Sequence, residues 1–210
     1  FGTSYANAAS LRNELNSVAN LSGDVNINTS ALQKSLVALN QQFGTSTMMS
    51  GELLKDFTRL TEVADYSADA AAGLSRITVA TGTDLSKNTE AILGEAAALN
   101  AVNGLALNEK QIVEEVAKAS AATTLSLGMS TKEITKAVFE AKALGASLQE
   151  IEQISQSLLQ FESSIGNELE AELLIGRDLN LEAARRAALN GNIAEVAKEI
   201  KTQIGDTAKF

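Results

Sequence analysis

The chain has 210 residues, 17 Lys and Arg against 26 Asp and Glu, a net charge of −9, and no Pro, Cys, His or Trp. Without His and Cys it lacks the usual ligands for zinc, iron and copper, the commonest general base, the thiol nucleophile and any disulfide. The acidic balance argues against a basic face for sequence-independent nucleic-acid binding, which works by Lys and Arg neutralising phosphates.

Without Pro, no residue lacks an amide donor or clashes with the preceding turn, so long helices are unobstructed. Apolar residues make up 45% of the chain but aromatics only 4%, and much of the apolar share is Ala. At about 25 cal/mol per Å² of buried apolar surface, Ala-rich helices stabilise a monomer weakly. They also let helix axes approach closely. The expectation is an all-α fold of eight or nine helices that gains stability from self-association or from a partner. The chain opens on Phe1 and not on Met, and the expectation is a window cut from a longer protein, with a processed product as the alternative.

From Tyr5 to Leu21 the residues Ala8, Leu11, Leu15, Val18 and Leu21 recur at helical spacing, and Gly23 closes that helix. Asp24 to Asn28 reads as a turn or a short extended link. Thr29 or Ser30 is expected to cap a second helix carrying Leu32, Leu36, Leu39 and Phe43, which stops at Gly44. A third helix is expected from Glu52 through Leu53, Phe57, Leu60, Ala64, Ala68, Ala71 and Leu74 as one stripe of about six turns. The weakly polar stretch from Ala91 to Leu107 is interrupted by Glu95, Asn100 and Asn103, too short and too polar for a membrane span.

In the second half, Asn108–Gln111, Ser130–Glu133 and Ser147–Glu150 each match a capping box, in which two residues satisfy each other's orphan amides. Leu127-Gly128 and Leu144-Gly145 stand just before the latter two, so stop, cap and helix recur. Residues 1–104 are read as an extended or loosely packed helical segment, and 105–210 as a compact one of capped hairpins. The longest helix is expected over about 148–176, striped by Ile151, Ile154, Leu158, Phe161, Ile165, Leu169 and Leu173. Its first part is heptad-like, as in a coiled coil, and its later steps of four shift the stripe. Such a rod would be roughly 40 Å long. Asn180 and Asn192 then start two short helices, the last ending at Gly205.

Candidate chemistry is sparse. Asp24, Asn26 and Asn28 alternate as in the opening of a calcium loop, but Thr29 and Ser35 occupy the places of the required Gly and Glu. Glu162, Glu168, Glu170 and Glu172 could suggest paired carboxylates; on an amphipathic helix they read instead as a solvated outer face. No Gly-rich stretch ends in the Gly-Lys-Ser/Thr of a phosphate loop. Arg185 and Arg186 are expected to pair with Glu182 and with the acidic helix before them. No catalytic, cofactor-binding or metal site is expected, and the chain is not read as an enzyme. The candidate interface is the stripe itself: Ile151, Ile154, Leu158, Phe161, Ile165, Leu169 and Leu173. It serves either as an intramolecular core helix or as a seam between copies or against a partner wall.

The text from Leu127-Gly-Met-Ser-Thr-Lys-Glu133, through Ala-Leu-Gly-Ala-Ser-Leu-Gln-Glu150 and Phe161-Glu-Ser-Ser-Ile-Gly-Asn-Glu-Leu-Glu-Ala-Glu-Leu-Leu-Ile-Gly176, to Arg177-Asp-Leu-Asn-Leu-Glu-Ala-Ala-Arg-Arg-Ala-Ala-Leu-Asn-Gly191 resembles a segment of tail tape measure proteins of tailed bacteriophages. The resemblance covers roughly the last 80 residues. The earlier half shares only the family's low-aromatic, Ala/Ser/Thr/Asn-rich texture. It implies a structural virion component in the tail tube lumen, tip or baseplate, acting in tail length determination, assembly and DNA ejection. Its partners would be copies of itself, as a trimer or hexamer, and tube or tip hub proteins. Neither a peptidoglycan hydrolase motif nor a clear membrane helix, which some members carry, is present in this text. A weaker resemblance, of Ser67-Ala-Asp-Ala-Ala-Ala-Gly-Leu-Ser75 to flagellin, implies the alternative of a secreted self-assembling filament protein.

Overall fold

The computed structural model describes residues 5–46, 49–128, 130–176 and 178–204. These residues form twelve α-helices and no strand. No helix among them is long and apolar enough to cross a membrane. The chain divides by contacts into two compact units, Phe1–Glu90 and Ala91–Phe210.

The first unit contains α1 (Tyr5–Ser22), α2 (Thr29–Phe43), α3 (Gly51–Glu62) and α4 (Ala68–Thr81), with α2 and α3 packed on each other and on both neighbours. Leu15, Leu32, Leu39, Leu54 and Phe57 are almost completely withdrawn from solvent, and Ile27 joins them from the turn after α1. Asn28, not Thr29 or Ser30, caps α2: its side chain accepts the Ala31 amide at 3.0 Å. Thr29 instead donates to the Asn16 side chain at 2.6 Å, tying α2 to α1. Asp24 Oδ1 accepts the Asn26 amide at 3.0 Å, so the apparent start of a calcium loop is an Asx turn whose carboxylate is already engaged.

The single helix expected from Glu52 to Leu74 is two helices. Asp65 sits in the left-handed region at φ 56°, and the Tyr66 amide bonds back to the Leu60 carbonyl at 3.0 Å, which ends α3. Ser67 then caps α4 through the Ala70 amide at 3.1 Å. Apolar spacing ran on through this turn because Ala64 and Ala68 suit either structure.

The division between the units falls within α5 (Leu85–Asn103). Asn100, one of the polar interruptions noted in the sequence, holds the link that follows: its side chain donates to the Leu107 carbonyl and accepts the Leu107 amide, both at 2.9 Å. The second unit continues with α6 (Glu109–Ala117), α7 (Ala121–Ser126), α8 (Thr131–Ala143), α9 (Leu148–Leu158), α10 (Phe161–Ile175), α11 (Glu182–Leu189) and α12 (Ile193–Ile204). Helix α8 is its axis. Ile134, Ala137, Val138, Phe139 and Ala141 are fully buried on it, and α6, α9 and α12 pack around it. Ala184, Ala187 and Ala188 on α11 and Ala194 and Ala197 on α12 are buried, and these last two helices pack on each other.

All three expected caps form: Asn108 accepts the Gln111 amide, Ser130 that of Glu133 and Ser147 that of Glu150. At Ser147 the reciprocal bond is also made, with Glu150 Oε2 accepting the Ser147 amide at 2.7 Å. The expected stop at Gly205 lies outside the described residues. The helix count exceeds eight or nine because of the turn at Asp65, the short capped α7, and a second break at Leu159–Gln160 that divides the expected long helix of 148–176.

Ser147→Ala should cost about 1 kcal/mol of stability in chemical denaturation, the usual worth of an N-cap. The bonds from Ser147 hold the Glu150 carboxyl below its ordinary value of 4.5. Its contribution is therefore present above that value and lost as the pH falls through the lowered folded one. Asp56 is the opposite case: burial, then the nearby Asp84, pushes its pKa above the ordinary 3.8 although the Ser86 amide donates to it. Its penalty is absent below 3.8 and full once the pH exceeds the raised value. Asp56→Asn should raise the denaturation midpoint at pH 7, with a gain that vanishes on acidification; a lower midpoint at pH 7 would mean the Ser86 bond to the charged form dominates.

Candidate functional site

The stripe from Ile151 to Leu173 is divided by the break at Leu159–Gln160. On α9, Ile151 and Leu158 are buried in the core of the second unit, while Ile154 is 37% exposed. On α10, exposure rises along the helix: Phe161 and Ile165 are half exposed, Leu169 is 57% exposed and Leu173 85%. Leu174 is also 82% exposed. The first half of the stripe is therefore core, and the second half is an apolar ladder open to solvent.

The break has a local cause. The Leu159 and Gln160 amides bond three residues back, to Gln156 and Ser157, and Gln160 leaves helical geometry at ψ 76°. Serine hydroxyls around it, Ser157 to the Gln153 carbonyl and Ser163 to that of Gln160, compete for backbone acceptors and weaken the helix there. Helix α10 starts without a side-chain cap and ends at Gly176, whose φ of 74° suits Gly above all other residues.

What anchors α10 is largely polar. Arg185 on α11 donates through Nε to the buried Ser164 hydroxyl at 2.9 Å and pairs through Nη2 with Glu168. The other Glu168 oxygen accepts the Leu181 amide at 2.8 Å, and Glu172 accepts the Leu179 amide at 2.8 Å. Two of the four carboxylates read as a solvated outer face thus turn inward and satisfy the chain leading into α11. Glu162 and Glu170 remain outside, exposed, and no base of the described residues pairs with either. Arg186 pairs with Glu182 at 2.9 Å, so both arginines engage the partners their spacing suggested.

On the side of α10 away from the ladder, a groove of about 620 Å³ opens towards α9, lined by Ile154, Leu158 and Ala171 with Gln153, Ser157 and Asn167. Among the described residues no group of three or more Asp or Glu is placed to hold a metal ion. The inward turn of Glu168 and Glu172 was missed in the sequence because their partner amides lie well along the chain. The i, i+4 periodicity of α10 alone marks the ladder but not its exposure.

No protein-family model, curated protein or solved structure matches this chain.

Removing the clamp should release α10 selectively. Arg185→Ala leaves the largely buried Glu168 carboxylate without its base and should cost about 2–3 kcal/mol. Hydrogen exchange should accelerate in α10 well before α8; equal protection of α10 in the variant would show that apolar contacts with α9 hold it instead.

Proposed function

We propose that the chain is a structural segment of a tailed-phage virion, part of a tape measure protein docked in the tail tube or tip. The observation that carries this is the exposed ladder of Ile165, Leu169 and Leu173 on a helix anchored by polar contacts. A row of Leu and Ile left open to water is a surface waiting for a partner. The resemblance to tape measure segments, which covers roughly the last 80 residues, takes in this helix and the residues that anchor it. The all-helical, low-aromatic build suits a filler that enters a tube and later leaves it, because neither step has to break a large core.

In this role the chain is assembly material and not an enzyme. Copies are brought together in number by the symmetry of the particle around them, as a trimer or hexamer, with α10 turned to the tube wall or tip hub. The segment acts in tail length determination, assembly and the ejection that precedes DNA.

Deleting residues 127–210 from the protein in an infecting phage should leave tails without a properly formed tip. Normal tips by electron microscopy would overturn the docking role. Fibres formed by the isolated chain alone would favour a self-assembling filament of the flagellin kind instead.

A further inference from the structure

We propose that α10 is an openable strap: it lifts away as one helix from a core that closes without it, and the Arg185 clamp is its latch. This concerns the second unit alone and does not depend on the chain being virion material.

The core of the second unit is complete without α10. Helices α8 and α9 pack on each other and on α12, and α11 packs on both α9 and α12. Leu148, Ile151 and Leu158 of α9 are buried there, as are Ala184, Ala187 and Ala188 of α11. Helix α10 stands between α9 and α11 in the sequence, yet those two touch each other directly. The chain therefore leaves the core after Leu158, makes a helical excursion and returns at Leu181. Of the fifteen residues in that excursion only Ser164 is buried. A helix of this length ordinarily buries an apolar stripe. Here the buried group is a hydroxyl, and Ile165, Leu169 and Leu173 already face solvent. Lifting α10 therefore uncovers little apolar surface beyond the groove of Ile154, Leu158, Ala171 and Leu181, and apolar burial is what makes a core costly to open.

What opening breaks is polar. Arg185 releases the Ser164 hydroxyl and the Glu168 carboxylate, and the Leu179 and Leu181 amides lose Glu172 and Glu168. Water re-bonds each of these groups once the strap lifts, so the net worth of each bond is small. Both ends suit a hinge. Gln160 already leaves helical geometry, α10 starts without a side-chain cap, and Gly176 stops it at φ 74°. Leu158 and Leu181 line the same groove, so the points of departure and return lie close together and α10 lifts with both ends in place. The closed state has Arg185 engaged by α10. The open state turns that guanidinium, and the Ile154 and Leu158 face of α9, to solvent.

The test is native-state hydrogen exchange of the full chain at low, sub-denaturing guanidinium. Amides of α10 should exchange at least about hundredfold faster than those of α8, through an opening that hardly responds to denaturant because it exposes little surface. Those of α8, α9, α11 and α12 should share a slower opening that responds steeply. If α10 instead shares the slope and protection of α9 or α11, it is part of the core and the inference is overturned. Glu168→Gln removes the charge from the latch and should speed exchange in α10 at least about tenfold, with α8 unchanged. Leu173→Ala, on the exposed ladder, should leave both helices as they were. Faster α10 exchange in the Leu173 variant and none in the Glu168 variant would place the hold in apolar contacts and overturn the latch.

A second measurement replaces residues 161–176 by about eight Gly and Ser residues, which reach roughly 15 Å. The strapless chain should keep the slow exchange of α8 and α12. Exchange of those helices at the rate of an unfolded chain would mean that the core needs α10, which overturns the inference.

Discussion

With six Phe, two Tyr and no Trp, each unit closes its core mostly with Leu, Ile, Val and Ala around a single fully buried Phe, Phe57 in the first and Phe139 in the second, and this scarcity of bulky side chains governs the rest of the structure. A core of that kind gains less per helix from burial than one built on aromatics. The ends of helices and the links between them are accordingly held by named polar bonds: Asn28, Ser67, Asn108, Ser130 and Ser147 as caps, and Asn100 across the link after α5. Each satisfies an amide or carbonyl that a helix end leaves open. Abundant Ser, Thr and Asn are in this sense the fasteners of the fold.

The clamp of Arg185 on Ser164 and Glu168 is the functional consequence of the same economy of core material. Helix α10 has Leu and Ile enough to bury a face, yet polar groups hold it to its unit and leave much of that apolar content outside. A helix held this way keeps its ladder available, and its orientation is set by a planar guanidinium with little freedom to rotate. Core and exposed ladder are thus parts of one stripe, separated at Leu159–Gln160, where Gln160 leaves helical geometry.

Charge follows the same division. The chain carries a net −9, but its carboxylates are not equivalent. Glu115 and Glu140 are nearly buried beside lysines, and Glu168 and Glu172 cap backbone, whereas Glu162 and Glu170 border the ladder.

How much was legible in the residues varies with the range of the interaction. The all-helical class, the N-caps at Asn108, Ser130 and Ser147 (of which only Ser147 with Glu150 closes the full capping box), the stops at Gly23 and Gly44, and the pairing of Arg185 and Arg186 with acidic neighbours were all readable, because each depends on residue type within a turn or two or on a chain free of Pro. Apolar spacing could not find the turn at Asp65 or the break at Leu159–Gln160, since Ala and Leu continue their period through both. Those were decided by bonds such as the Tyr66 amide to Leu60 and by what the second helix meets once it turns. Nor could periodicity tell the buried Ile151 and Leu158 from the open Leu169 and Leu173. A stripe states which side chains share a face; only the packing of the other helices decides whether that face is covered, because burial is a property of neighbours and not of the helix itself.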